Sequence, residues 1–84
     1  MHISELEEKV KAIAIAEMSL NPHTFKMSTP LLQISNIDSL DFVSLMVAYE
    51  NEFDVRMEDA DYNKIGNLND LVRVLLTEKG VQVG

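Results

Sequence analysis

The segment from Asp38 to Phe53 constrains the fold most, because its apolar residues recur with the period of one helix face. Phe42, Leu45, Met46, Tyr49 and Phe53 fall three or four residues apart, which at 3.6 residues per turn aligns them into a single stripe. Asp38 stands at the N-cap position and Asp41 at the third helical position. A side-chain oxygen there accepts from a free first-turn amide, and both carboxylates face the positive end of the helix dipole. A helix from Ser39 to about Glu52 is expected. Leu40, Val43 and Val47 trace a second apolar line on it, beside Asp41, Ser44 and Glu50. A helix buried on one side only would be more polar along that line. Our reading is a partly exposed apolar strip rimmed by acids and suited to transient docking. Packing of the strip beneath a neighbouring loop is the alternative.

The flanking segments supply further helices. The first is expected over Glu5 to Met18 or Ser19, opened by a capping box of Ser4 and Glu7, with Ile3, Leu6, Val10, Ile13, Ala14 and Met18 facing inward. Asn21-Pro22 stops it, since proline restricts the residue before it and cannot donate to the helical ladder. Residues 20–37 form a long connection whose Phe25, Leu31, Leu32, Ile34 and Ile37 argue for packing against the domain, with a short turn of helix near Leu31 to Gln33. Asp54 to Met57 reads as extended, with Val55 and Met57 turned inward. Asp59 is expected to cap a short helix through Ala60 to Lys64, anchored by Ile65. Gly66-Asn67 breaks it. Asn67 and Asp70 then cap a last helix through about Glu78, with Leu68, Leu71, Val72 and Leu75 inward and Lys79-Gly80 closing it. No run alternates long enough to require a sheet.

At 84 residues and 46% hydrophobic content, the chain suits one domain with one modest core, its compact part about 3–79. A domain of this size seldom encloses a deep catalytic cavity, which argues against an independent enzyme. Cysteine is absent, so disulfides, thiolate nucleophiles and cysteine-ligated metals are excluded. His2 and His23 belong to no ligand pattern, and no metal site is expected. The formal net charge is -7. Between residues 38 and 61, Asp38, Asp41, Glu50, Glu52, Asp54, Glu58, Asp59 and Asp61 face the single base Arg56. That field repels phosphate backbones and attracts basic protein surfaces, so no nucleic-acid partner is expected. No apolar run approaches membrane-spanning length and no secretory signal opens the chain, so a cytoplasmic monomer without membrane insertion is the default.

Ser39 lies on the first turn of the acidic helix, where a short side chain is a common and often purely structural choice. It lacks a G-x-S-x-G elbow, and neither histidine has a triad context. A hydroxyl so placed suits covalent attachment by a separate transferase, attacking a phosphoanhydride to leave a phosphodiester. The adjacent helix amides suit an attached anion, while Asp38 and Asp41 oppose further negative charge there.

The run Asp38-Ser39-Leu40-Asp41, followed by Val43, Leu45, Met46, Tyr49, Glu50, Glu52, Phe53, Asp54 and Val55, then Ile65 and the final apolar helix, resembles the acyl carrier protein family. The resemblance extends from the first helix to about Leu76. It implies an all-α, right-handed four-helix bundle with three longer helices, a short third helix and a long first connection. It also implies 4′-phosphopantetheine, donated by coenzyme A, on Ser39, whose terminal thiol carries acyl intermediates as thioesters. Asp38, Leu40, Asp41, Val43, Val47 and Glu50, then Glu52, Asp59 and Asp61, match the partner-reading side. The partners implied are a phosphopantetheinyl transferase, an acyl-loading ligase or transferase, and synthase or acyltransferase enzymes with basic docking patches. Phe42, Leu45, Met46, Tyr49 and Ile65 are candidates to shelter an acyl chain. Many relatives carry leucine-glycine before Asp-Ser, where this chain has Ser35 and Asn36. Asn36 tolerates a left-handed backbone, and Ile34 or Ile37 can replace the leucine anchor. Phe42 is bulkier than the family's common residue. Fatty acid, specialised lipid, polyketide and aminoacyl cargo all fit this pattern, and a non-carrier helical interaction module is the competing reading.

Overall fold

The computed structural model describes residues 1–34 and 37–83. The left-handed bend expected at Asn36, and the fate of Ser35, lie outside the described residues. Four helices follow one another: α1 (Ile3–Met18), α2 (Ser39–Phe53), the four-residue α3 (Asp59–Tyr62) and α4 (Leu68–Thr77), with a 3-10 turn at Leu31–Gln33. No strand occurs among the described residues. The architecture is the expected all-α, four-helix arrangement with a short third helix and a long first connection.

Each helix starts where side-chain oxygens or nitrogens meet free amides, and two of these starts differ from the sequence reading. Helix α1 begins at Ile3, ahead of the expected Ser4 box, because the His2 ring nitrogen Nδ1 accepts from the Ser4 amide at 3.4 Å. Helix α3 is capped by Glu58 instead of Asp59: the Glu58 amide donates to Asp61 Oδ2 at 2.9 Å. The Asp61 carboxylate thus closes a three-residue loop that the run of acids concealed. Helix α2 obeys the reading closely, running from Ser39 to Phe53 behind Asp38. Both α1 and α2 end on left-handed residues, Ser19 (φ 53) and Asp54 (φ 52), whose amides still bond to carbonyls four residues back. The helix therefore stops at Met18, before Asn21-Pro22 is reached.

The core is one apolar cluster. Leu6, Val10, Ala14, Leu31, Leu45, Met46, Tyr49, Leu68, Leu71 and Leu75 are fully buried, and each leucine-sized side chain contributes about 1.5–3 kcal/mol of transfer free energy. Ile3, expected inward, is instead 43% exposed. Tyr49 places its hydroxyl in this interior and donates to the Val10 carbonyl at 2.7 Å, so the buried oxygen is satisfied. Burial pushes its phenol above the ordinary tyrosine range.

The long connection is part of this frame. Phe25 and Leu31 are buried, and Ile34 packs half-buried against the core, whereas Leu32 is 63% exposed. Backbone pins fix the segment to the start of α4. The Met27 carbonyl accepts from the Leu68 and Asn69 amides at 3.0 and 3.2 Å, and the Leu31 amide donates to the Gly66 carbonyl at 2.9 Å. A non-local carbonyl therefore caps α4, satisfying amides its own helix cannot reach. Asn67 Oδ1 takes the Asp70 amide at 2.9 Å, but the Asp70 carboxylate returns to Gly66 N at 3.0 Å, not to Asn67 as a reciprocal box requires. At the far end Gly80 (φ 69) turns the chain so that the Val81 amide reaches Leu75 O at 3.0 Å.

Candidate functional site

The start of α2 is assembled by its own first residues. Asp38 Oδ1 accepts from the Leu40 and Asp41 amides, both at 3.0 Å, while Asp41 Oδ2 accepts from the Asp38 amide at 3.1 Å. The Asp38 carbonyl takes the Phe42 amide at 3.2 Å. This reciprocal box fixes the first turn without help from the rest of the fold. It also revises one expectation. Two of the amides that suited an attached anion are already held by Asp38, so anion capture at the helix end is not what the site offers. It offers a fixed, exposed side chain at Ser39. The Ser39 hydroxyl has no hydrogen-bond partner among the described residues.

Beyond it the second apolar line faces solvent. Leu40 is 74% exposed, Val47 44% and Val43 38%. Packing of this strip beneath the connection does not occur among the described residues; Leu31, not the strip, closes that part of the core. On the inward face of α2, Phe42, Leu45, Met46 and Tyr49 join the buried cluster, together with Ile65 from the segment after α3. Phe42 meets Tyr62 of α3 edge-on, with ring centroids 5.7 Å apart.

The acidic candidates separate into four settings. Asp38, Asp41 and Asp59 are exposed, the first two bracketing Ser39 and Asp59 opening α3. Glu50 sits between solvent and structure: its Oε2 accepts from the Met57 amide at 2.8 Å, fastening the α2–α3 link. Glu52 lies beside Ala48 and Asn51 in an open groove between α1 and α2, shared with Ile13, Ala16 and Glu17, and so stands apart from the Leu40–Val47 strip. Asp61 is only 5% exposed and is bound by Lys79 Nζ at 2.7 Å. That hydrogen bond, with the Glu58 amide, holds its carboxyl below the usual aspartate value. The structure thus places Asp38, Leu40 and Asp41 next to Ser39, with Val43 and Val47 following Leu40 along α2, and spends Asp61 inside the fold. Leu32, exposed on the 3-10 turn, went unnoticed as a surface residue because its neighbours Leu31 and Ile34 are core. Among the described residues no group of three or more histidines or carboxylates is arranged to hold a metal.

Residues 8–75 match the family model described as a phosphopantetheine attachment site. An acyl carrier protein from Thermosynechococcus vestitus is 36% identical over 72 residues, 86% of this chain and 89% of its own length. One from Clostridium acetobutylicum is 34% identical over 68 residues, 81% of this chain and 88% of its own. The chain belongs to the acyl carrier protein family. A solution structure from Anaplasma phagocytophilum, described as an acyl carrier protein, agrees in fold with a TM-score of 0.79. It is 27% identical and covers 94% of this chain and 96% of that one. In this chain that shared fold, of a kind typical of non-catalytic carrier proteins, has Asp38-Ser39-Leu40 at the head of α2. No described helix of this acyl carrier protein family member is long and apolar enough to cross a membrane.

Proposed function

We propose that the protein is a carrier that receives 4′-phosphopantetheine on Ser39 and holds acyl intermediates on it as thioesters. Partner enzymes of fatty acid, specialised lipid or polyketide biosynthesis would then act on them. The observation that carries this reading is Ser39 itself: exposed, on a first turn already stabilised by Asp38 and Asp41, at the head of an acidic apolar strip. In the loading step a bound transferase removes the Oγ proton, the oxygen attacks the coenzyme A phosphoanhydride, one P–O bond breaks and a phosphodiester forms. The nucleotide half departs. The arm supplies a terminal thiol, which a chain without cysteine does not have. The residues fit the group because Ser39 is free to react while its neighbours are held by backbone bonds.

The protein's own contribution is recognition and orientation. Leu40, Val43 and Val47 give a partner apolar contact, and Asp38, Asp41, Glu50 and Asp59 give it a negative field, which raises encounter rates with basic surfaces and weakens with salt. Glu52, on the α1–α2 groove, and the buried Asp61 contribute to that field at most from a distance. Phosphopantetheinyl transferase, acyl-loading enzymes and synthases are the partners this chemistry suits.

Incubation with coenzyme A and a phosphopantetheinyl transferase should add one phosphopantetheine mass, localised by fragmentation to Ser39, and Ser39→Ala should abolish it. An unmodified wild type beside a fully modified control carrier would refute the reading. The 74% exposure of Leu40 favours one competitor, a non-carrier docking module, which predicts partner binding unchanged in Ser39→Ala without any arm.

A further inference from the structure

Helix α3 spans only Asp59–Tyr62, far shorter than a helix that holds itself in water. Its inward groups are few: Tyr62 is half-buried against Phe42, Ala60 is exposed, and the most buried residue is the charged Asp61. Phe42 meets Tyr62 of α3, and Met57 and Ile65, which flank α3 in the chain, are buried with it in the core, at 6%, 7% and 4% exposure. Something other than helical propensity or an apolar face must hold this element down.

The residues after α4 meet that need. Lys79 Nζ lies 2.7 Å from Asp61 Oδ2, and the two side chains are 16% and 7% exposed. The same oxygen accepts the Glu58 amide at 2.9 Å, so one atom both starts α3 and ties it to the C-terminal end of α4. A second pair, Lys64 to Glu78 at 2.6 Å, runs in parallel but is open to water, at 50% and 38% exposure. Val81 and Val83 continue the contact by packing against the core.

We infer that Lys79 and Asp61 form a clasp by which the segment after α4 keeps α3 closed over Phe42, Met57 and Ile65, so that α3 opens as a unit when the clasp is released. The pair is the working part because it is desolvated; the exposed Lys64–Glu78 pair is a weak auxiliary. The other charges near Asp61 are Glu58, Asp59 and Lys64 on or beside α3 and Glu78 on the α4 side. None of these replaces Lys79, since Lys64 is engaged by Glu78. Opening uncovers an apolar surface next to the acidic strip, a second state of the partner-facing side. The inference rests on the fold and not on arm attachment, so it survives or fails independently of Ser39 chemistry.

Amide hydrogen exchange on the full unmodified chain tests it. In Lys79→Met, exchange at Tyr62, Lys64 and Ile65 should rise about tenfold or more, with α1 and the centre of α2 changing much less, as local opening requires. Lys79→Arg should restore protection, and Lys64→Met should leave it within about twofold of wild type. Because Lys79→Met strands a buried carboxylate, the double variant Asp61→Asn/Lys79→Met decides between causes. Fast α3 exchange in a folded double variant supports the clasp, whereas wild-type protection overturns it. A parallel rise at every helix in Lys79→Met also overturns it, by showing that the pair serves global stability alone.

Discussion

Helices α2 and α4 begin with similar chemistry and put it to opposite uses. At α2, Asp38 and Asp41 satisfy one another's amides within four residues, so the turn is complete without any distant group. At α4, Asn67 satisfies the Asp70 amide, and the two amides before it, of Leu68 and Asn69, bond to the Met27 carbonyl, some forty residues earlier in the chain. The first start leaves its side chains exposed around Ser39. The second is consumed in closing the bundle. A helix end that caps itself frees its surface for other molecules, and one that borrows a cap commits its surface to the fold.

The largest expected effect lies on the borrowed side. Leu31 is fully buried and its amide is pinned to Gly66, so it holds the connection that presents Met27 to α4. Leu31→Ala should cost about 2–5 kcal/mol in urea unfolding and raise amide exchange at Leu68 and Asn69. The adjacent Leu32→Ala, at a side chain 63% exposed, should stay within about 0.5 kcal/mol. Equal costs for the two would mean that the connection is not a structural strut, and the contrast between the helix starts would lose its basis.

Cap removal gives a smaller effect and a finer comparison. Asp38→Ala and Asn67→Ala should each cost about 1 kcal/mol, since each deletes side-chain bonds to first-turn amides. Their consequences should differ in space. Loss of Asp38 should loosen only the first turn of α2, leaving Leu68 protected. Loss of Asn67 should spread into residues 27–31, because α4 and the connection share bonds. Exchange mapping of both variants separates a local from a shared cap.

How much of this could be read in the sequence follows from the same division. Asp38, Asp41 and the stripe from Phe42 to Phe53 were legible because cap and period are written within one segment. The 3-10 turn at Leu31–Gln33 was legible from clustered apolar residues, and the exposed strip from a second apolar line turned away from the stripe and set beside acids. The Met27 cap was not, since a backbone carbonyl carries no residue-specific signal and its partners lie far along the chain. Asp61 misled because acids of one run look alike; only its spacing of three from Glu58 hinted at a cap, and its partner Lys79 sits beyond another helix. His2 went unread as a cap because Ser4 offered the more familiar oxygen. For the site, Ser39 stood out from its neighbours, whereas the separation of Glu52 from the strip depended on how α1 packs against α2.

The smallest effect concerns the opposite helix ends and sharpens the comparison once more. The segment after α4 turns at Gly80, for which φ 69 costs nothing, while α2 stops at Asp54 with φ 52. Asp54 bears a left-handed penalty of about 1 kcal/mol and sets a carboxylate at the negative end of the helix dipole, worth roughly 0.3–1 kcal/mol more. Asp54→Gly relieves both but adds freedom to the unfolded chain, which returns about 0.4–1 kcal/mol. The net expectation is a gain of about 0.5–1 kcal/mol. Asp54→Asn, which tolerates the same backbone and removes only the charge, should recover the dipole part alone. Urea unfolding of both variants at low and high salt divides the contributions: the gain in Asp54→Asn should shrink with salt, and that in Asp54→Gly should persist in part. A loss of stability in Asp54→Gly would mean that the aspartate side chain holds this turn, making the end of α2 as dependent on its own residues as its beginning.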